Sequence, residues 1–445
     1  MALRPYQEGA IDNIRAAYQG GARAPLLVMP TGGGKTIVFA HVTMLANARG
    51  TRTLVVAHRI ELIRQASAKL THAGVQHGII APDYPETAHP VQVGSIQTLA
   101  RRLDRLPEFD LIIIDEAHHA VAGQWASLIE AQPQARLLGV TATPERLDGK
   151  GLGVEAGGPF DWLVQGPSVR ELIAWGNLTP ARVFAPTNPD LSGIRTERGD
   201  FEIHSLASAM AAPAIIGDAV GHYTRHAPGK PAIAFCVTVE HAEDVARAFR
   251  EAGWRATCAH GGTPAAERDA AIAGLGDATT QILTSCEIVS EGLDVPAIGA
   301  AILLRPTQSL PLYMQQVGRG LRPAPGKDHL IVLDHAGNTH RHGLIDDDRQ
   351  WVLGGKQARE AKERAAGEAF GPGGRKQPPI EFDGQLIEVD TESFDYLRNA
   401  PLGNLLTGRD SRERLEQIRL ARGYKPGWVY HVMRAQAMHA WAGAR

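Results

Sequence analysis

The chain has 445 residues, 44% of them hydrophobic and 21% charged, with a formal net charge of −2. That length exceeds one ordinary domain and suits two or three, and the composition is globular rather than fibrous or disordered. The near-neutral balance excludes a uniformly basic surface, so any nucleic-acid site must be a local patch. Cys236, Cys258 and Cys286 are too scattered for a disulfide framework or a CxxC zinc ribbon. The opening MALRPYQEGA lacks the apolar centre of a signal peptide, and no apolar run approaches the roughly 20 residues of a membrane helix. The expected setting is therefore cytoplasmic, with no membrane partner.

Along the chain, short β-rich apolar runs alternate with helical stretches. Strands are expected at 26–29, 53–57, 91–93, 111–115 and 137–140, then at 232–236, 256–259, 282–284, 300–304 and 330–334, with helices such as 61–73 and 239–252 between them. That rhythm predicts parallel sheets covered by helices. The two series predict two α/β domains in tandem, with a boundary in the turn-rich stretch 176–190. The domains are placed at 1–178 and 179–345. Gly- and Pro-flanked charged sequence predicts a linker over 346–380, and 381–445 is expected to be a small, mostly helical accessory region. There, Asp410 and Glu413 suit a helix start, Gly423 a stop and Pro426 a second start.

The first chemistry-bearing segment is MPTGGGKT, residues 29–36, after an apolar run. Thr31, Gly32, Gly33 and Gly34 let the backbone curl around an anion, and N–H groups at the following helix start would face phosphate oxygens. Lys35 can neutralise the outer phosphates of ATP and Thr36 can hold Mg²⁺. The second segment is LIIIDEAHH, residues 111–119, an apolar strand ending in two carboxylates. Asp115 is expected to serve Mg²⁺, and Glu116 to orient and deprotonate the attacking water.

With these in place, the chain resembles superfamily 2 helicases and translocases of the DEAD/DEAH-box type over roughly residues 1–340. LRPYQ, residues 3–7, is similar to the adenine-recognition segment, implying Gln7 and Arg4 at the base. TATPER, 141–146, is similar to the element that couples the ATP site to nucleic acid, implying that role for Thr141 and Thr143. SEGLDVPAI, 290–298, contains Gly292 and Asp294, assigned by resemblance to the nucleotide. YMQQVGRGLRP, 313–323, implies that Gln315, Arg319 and Arg322 come from the second domain to the nucleotide on the first. Arginine suits this task because it stays charged and forks onto phosphate oxygens.

The resemblance also implies two RecA-like domains and a strand-binding face. VVAHRIEL, 55–62, and GSIQTLARR, 94–102, make His58, Arg59, Ser95 and Gln97 its contacts in domain 1. Thr238, Gly261 and Thr284 are their counterparts in domain 2. Such groups grip the sugar-phosphate backbone without reading sequence. The stretch 409–434 has seven basic and three acidic residues, interleaved with Tyr424, Trp428 and Tyr430. It fits either a nucleic-acid contact or a solvated helix face packed by aromatics. It resembles the tail of RadD-type repair helicases, without their cysteine-rich zinc element, and could carry a protein partner. His335, His340 and His342 fall close in sequence and are read as loop or packing residues before a zinc site.

The expected activity is ATP-dependent movement on nucleic acid, with DNA preferred over RNA. Three alternatives stay open: a double-strand DNA translocase or the motor subunit of a restriction or defence complex, an RNA helicase, and an ATP-switched nucleic-acid clamp.

Overall fold

The computed structural model describes residues 3–121, 123–146, 149–186, 196–197, 200–201, 210, 213–286, 295–355, 386–389, 397, 406, 412–424 and 427–442. The chain divides into two units, Met1–Asn177 with Asp348–Glu368, and Leu178–Asp347 with Ala369–Arg445.

Seven strands build the sheet of the first unit: β1 (Pro25–Val28), β2 (Thr53–Ala57), β3 (Gly78–Ile80), β4 (Val91–Ser95), β5 (Leu111–Asp115), β6 (Arg136–Thr141) and β7 (Trp162–Gln165). Their order is β3-β4-β2-β5-β6-β1-β7, and every neighbouring pair is parallel. Parallel neighbours need crossovers, which helices such as Lys35–Asn47 and Ile60–His72 supply. Every residue of β2 and β5 is buried, which is why both read as unbroken apolar runs. Leu27, Phe39, Val55, Ile63, Ile113 and Leu138 pack in its core. The first helix, Pro5–Gln19, turns Ile11, Ile14 and Ala17 inward.

Residues 348–355 return to this unit. The Leu353 carbonyl accepts from Gly153 N at 3.0 Å. A Cβ on Gly151 would sit 1.9 Å from the Leu353 oxygen, so only glycine fits there. The rest of the expected linker, 356–380, lies outside the described residues.

In the second unit the strands are β8 (Ala181–Pro186), the short antiparallel pair β9 (Thr196–Glu197) and β10 (Asp200–Phe201), β11 (Ala232–Phe235), β12 (Ala256–Ala259), β13 (Ile282–Ser285), β14 (Ala300–Leu303), β15 (Leu330–Asp334) and β16 (Leu386–Val389). The main sheet runs β12-β13-β11-β14-β15-β8-β16 and is parallel except for β16. Its core holds Tyr223, Phe249, Val245, Ile302 and Leu333.

β16 comes from the region expected to be mostly helical. Strand β8 would otherwise end the sheet with unpaired backbone groups, and β16 pairs them. Arg182 adds a two-pronged bond to Glu388, at 2.6 and 2.7 Å. Two helices do follow, Arg412–Arg422 and Gly427–Ala442; Asp410, Pro426 and the Glu413 side chain lie outside the described residues. Among the described residues, no helix is long and apolar enough to cross a membrane.

Candidate functional site

β5, β6 and β1 are consecutive in the first sheet, so the segments leaving their carboxyl ends emerge side by side. That is where ligands of open parallel sheets bind. After β1 the chain turns through Gly32 at φ 85° and Gly34 at φ 88°, backbone that favours glycine, and enters the helix at Lys35. Lys35 is buried and its Nζ donates to the Met29 carbonyl at 3.2 Å. Thr31 and Thr36 are half-buried beside it.

The start of the chain braces this turn. Gln7 is buried, its Oε1 accepts from Arg4 N at 3.0 Å, and its Nε2 donates to the Gly33 carbonyl at 3.4 Å. Tyr6, which the motif comparison passed over, donates its hydroxyl to the same carbonyl at 3.1 Å and accepts from Arg4 Nη1. Its ring stacks on Trp175 at 5.8 Å. The aromatic at position 6 of LRPYQ was the available signal.

β5 ends in Asp115, 6% exposed, followed by Glu116 in left-handed backbone at φ 49°, ψ 54°. Glu116 N donates to Asp115 Oδ1 at 3.0 Å. Burial, and then the neighbouring Glu116 charge, push the Asp115 carboxyl above its usual range, and Lys35 pulls it partly back. Glu116 Oε2 is buried and, among the described residues, makes no hydrogen bond, the His118 ring standing close by at 3.5 Å. A desolvated carboxylate pair with one nearby lysine suits a hard divalent cation such as Mg²⁺.

β6 ends in Thr141, whose hydroxyl donates to the Thr143 carbonyl at 2.9 Å and accepts from Thr143 N at 3.3 Å. His118 Nδ1 lies 3.3 Å from Thr141 Oγ1 and 3.5 Å from Glu116 Oε2. His119 packs against the rings of both His118 and His58. Arg59 Nε donates to His58 Nε2 at 3.3 Å, and Gln97 Nε2 donates to the His58 carbonyl at 3.0 Å. Ser95 is buried and donates to Gln97 Oε1 at 2.6 Å, so Gln97 is the exposed member of that pair. The first unit thus brings its predicted residues together, linked by a histidine cluster that motif spacing does not reveal.

In the second unit, Gln315 and Arg319 are buried on the helix Leu310–Gly318 and the turn after it, and Arg322 is half-buried. Lys327, unforeseen from the sequence, ties this segment down: its Nζ donates to the carbonyls of Gly320, Arg322 and Pro296. Thr238 caps the helix Val239–Glu251, its hydroxyl accepting from His241 N at 3.1 Å. Gly261 is exposed in an open turn.

Thr284 is a correction. It is fully buried and donates to the Ala242 carbonyl at 2.7 Å, so it packs a helix onto β13 and presents nothing to a strand. Gly292 and Asp294 lie outside the described residues, as does the side chain of His340. His335 is buried, while His342 stacks on Tyr313 and meets the Thr307 carbonyl. Among the described residues no group of three or more His, Cys, Asp and Glu side chains is placed to hold a metal ion. Tyr424 and Trp428 pack together at 5.0 Å, and Tyr430 is exposed.

Residues 1–146 match the family model described as type III restriction enzyme, res subunit, and residues 214–324 match the helicase conserved C-terminal domain. A 51.5 kDa protein of a Lactococcus phage is 33% identical over 326 residues, covering 73% of this chain and 68% of that one. The chain belongs to the superfamily 2 helicases. The putative ATP-dependent helicase IRC3 of Saccharomyces cerevisiae is 31% identical over 360 residues, covering 75% of this helicase and 51% of IRC3. The helicase therefore spans about half of that curated relative. A fragment of a putative HsdR subunit of a type I restriction enzyme from Vibrio vulnificus superposes with a TM-score of 0.63 at 24% identity, covering 77% of this chain and 66% of that one. That likeness supports the tandem RecA-like fold, as expected from the two parallel sheets.

Proposed function

We propose that this superfamily 2 helicase hydrolyses ATP to move along DNA. The observation that carries the proposal is the convergence of Lys35, Asp115, Glu116 and Thr141 at the carboxyl ends of β1, β5 and β6. Arg4 and Gln7 lie at the adenine end, and the Gly32–Gly34 backbone cradles the phosphates. Lys35 leaves the Met29 carbonyl for the outer phosphates. Glu116 holds a water and takes its proton as the bond to the γ-phosphate breaks. Thr36 and Asp115 would hold Mg²⁺, which when bound neutralises phosphate charge. By the family resemblance, Gln315, Arg319 and Arg322, with Gly292 and Asp294, are assigned to the nucleotide.

Strand contact is assigned to Arg59, Gln97 and His58, with Ser95 positioning Gln97, and to the open turn at Gly261 and the helix start at Thr238. The preference for DNA rests on the resemblance of residues 313–327 to RadD-type helicases. The test is steady-state ATP hydrolysis without nucleic acid, then with single-stranded, duplex and forked DNA and with RNA, at one fixed salt, since such binding is strongly salt-dependent. Stimulation by DNA above RNA is expected. Stimulation by RNA alone would replace DNA as the track, and stimulation by none would leave only a switch or a missing partner.

The match of residues 1–146 to a restriction-enzyme subunit favours a second reading, a motor that works beside a nuclease. Co-purification with a nuclease, and triplex displacement without strand separation, would select it.

A further inference from the structure

Three imidazoles stand in a row between the predicted strand contacts and the predicted water-orienting carboxylate. The His58 and His119 ring centroids are 4.4 Å apart, and those of His119 and His118 4.1 Å. At one end, His118 Nδ1 meets Thr141 Oγ1 at 3.3 Å and stands 3.5 Å from Glu116 Oε2. At the other, Arg59 holds the His58 ring and Gln97 holds its carbonyl. We infer that His119 is a positioning residue that carries strand occupancy at Arg59 and Gln97 to Glu116. The inference rests on the assignments of Arg59 and Gln97 to the strand and of Glu116 to water.

The sheet sets up the row. β2 and β5 are parallel neighbours, so His58, just past β2, and His118 and His119, just past β5, leave the same edge together. His118 is buried and His58 and His119 are half-buried, and rings in van der Waals contact do not shift independently where they are closely packed. Arg59 stands at the start of the helix Ile60–His72, in extended backbone, where a phosphate is favoured by the helix N-terminus as well as by the guanidinium. A phosphate drawing on Arg59 and Gln97 moves two groups that hold His58. His58 then presses on His119, and His119 on His118. Glu116 sits in left-handed backbone, so its carboxylate direction is held by its surroundings, which makes it a sensitive receiver.

The full chain is compared as wild type, His119→Ala, His119→Gln and His119→Phe. Three quantities are read: ATP turnover without nucleic acid, turnover with whichever of single-stranded DNA, duplex DNA or RNA stimulates wild type most, and affinity for that strand by fluorescence anisotropy. His119→Ala and His119→Gln are expected to keep unstimulated turnover and strand affinity within about twofold while losing about tenfold of the stimulation, the usual scale of site-to-site coupling. His119→Phe keeps a flat ring and is expected to recover most of it. Unchanged stimulation in His119→Ala and His119→Gln overturns the inference. So does an equal fall of stimulated and unstimulated turnover, which marks a merely structural role, or absence of rescue by His119→Phe. A wild type that no nucleic acid stimulates also overturns it. The underlying strand assignment fails separately, if Arg59→Ala and Gln97→Ala leave affinity untouched.

Discussion

The amide of Gln7 donates to the carbonyl oxygen of Gly33 at 3.4 Å, tying the first helix to the glycine turn. The same amide lies where a side chain on the next residue would have to go: a Cβ on Gly34 would meet Gln7 Nε2 at 2.4 Å. The start of the first helix and the shape of the glycine turn are therefore joined through one side chain.

Gln7→Ala should cost about 0.5–1.5 kcal/mol of stability, the scale of one hydrogen bond, and should raise the KM for ATP. Gly34→Ala should cost more, because it adds about 1–3 kcal/mol of left-handed backbone strain to the collision with Gln7. In Gln7→Ala/Gly34→Ala the collision is gone and the strain stays, so the double variant should be more stable than the sum of the single losses implies. Thermal unfolding of all four proteins reads this. Simple additivity would mean that the two residues do not meet.

Lys35→Ala should lower ATP turnover by about 10²–10³, the usual loss when one electrostatic stabiliser of a transition state is removed, and should weaken nucleotide binding. Arg322→Ala should retain nucleotide binding and lose turnover, by up to the about 10³–10⁵ associated with arginine fingers. Nucleotide binding by fluorescence, set beside turnover, separates the two. Normal turnover in Lys35→Ala would remove the glycine turn from the reaction.

Thr284→Val should destabilise the second unit by about 0.5–1.5 kcal/mol, since it removes one hydrogen bond to the Ala242 carbonyl, which still accepts within the helix Val239–Glu251. Strand affinity of the folded variant should match wild type. Urea unfolding and anisotropy are the measurements, and a selective loss of affinity would return Thr284 to the strand-contacting set.

Lys327 gives a pH signature. Burial, then the charges of Lys230 and Arg322, lower its ammonium pKa from 10.5 to about 8. Between those values the unfolded chain binds more protons than the folded one, so this group's contribution makes stability rise with pH across that window. Lys327→Met removes that slope. The difference in unfolding free energy, wild type minus variant, should climb from about pH 8 to 10, the window between the folded and ordinary lysine values. A flat or falling difference would show that the three carbonyls keep the ammonium fully charged.

The interior strands were legible because both their faces are covered. Thr53–Ala57, Leu111–Asp115 and Leu330–Asp334 contain only buried residues, and their apolar runs mark their ends. Trp162–Gln165 went unseen because it is a partly exposed edge strand with a single buried position. Ala181–Pro186 sits in the turn-rich boundary, where Pro180 and Pro186 argue against a strand. Residues 386–389 become a strand only because β8 offers an edge, a cause lying some 200 residues away.

The site was legible to the same degree. Lysine and carboxylates at strand ends carry their own spacing signal, so Lys35, Asp115 and Glu116 stood out. Thr284 was misplaced because a motif position does not say which way a side chain on a strand points. The His58–His119–His118 row depends on two strands being neighbours, and no linear spacing encodes that.

The antiparallel strand β16 has a consequence for how this protein can be handled. It occupies the outer edge of β8, and Arg182 secures it through Glu388. A version trimmed to the helicase motifs, ending near residue 345, would keep every predicted catalytic group and bare a row of N–H and C=O groups along β8. Such an edge recruits strands from other molecules. Trimming at that point would yield a protein that self-associates through its sheet, and the lost activity would wrongly be credited to the missing tail.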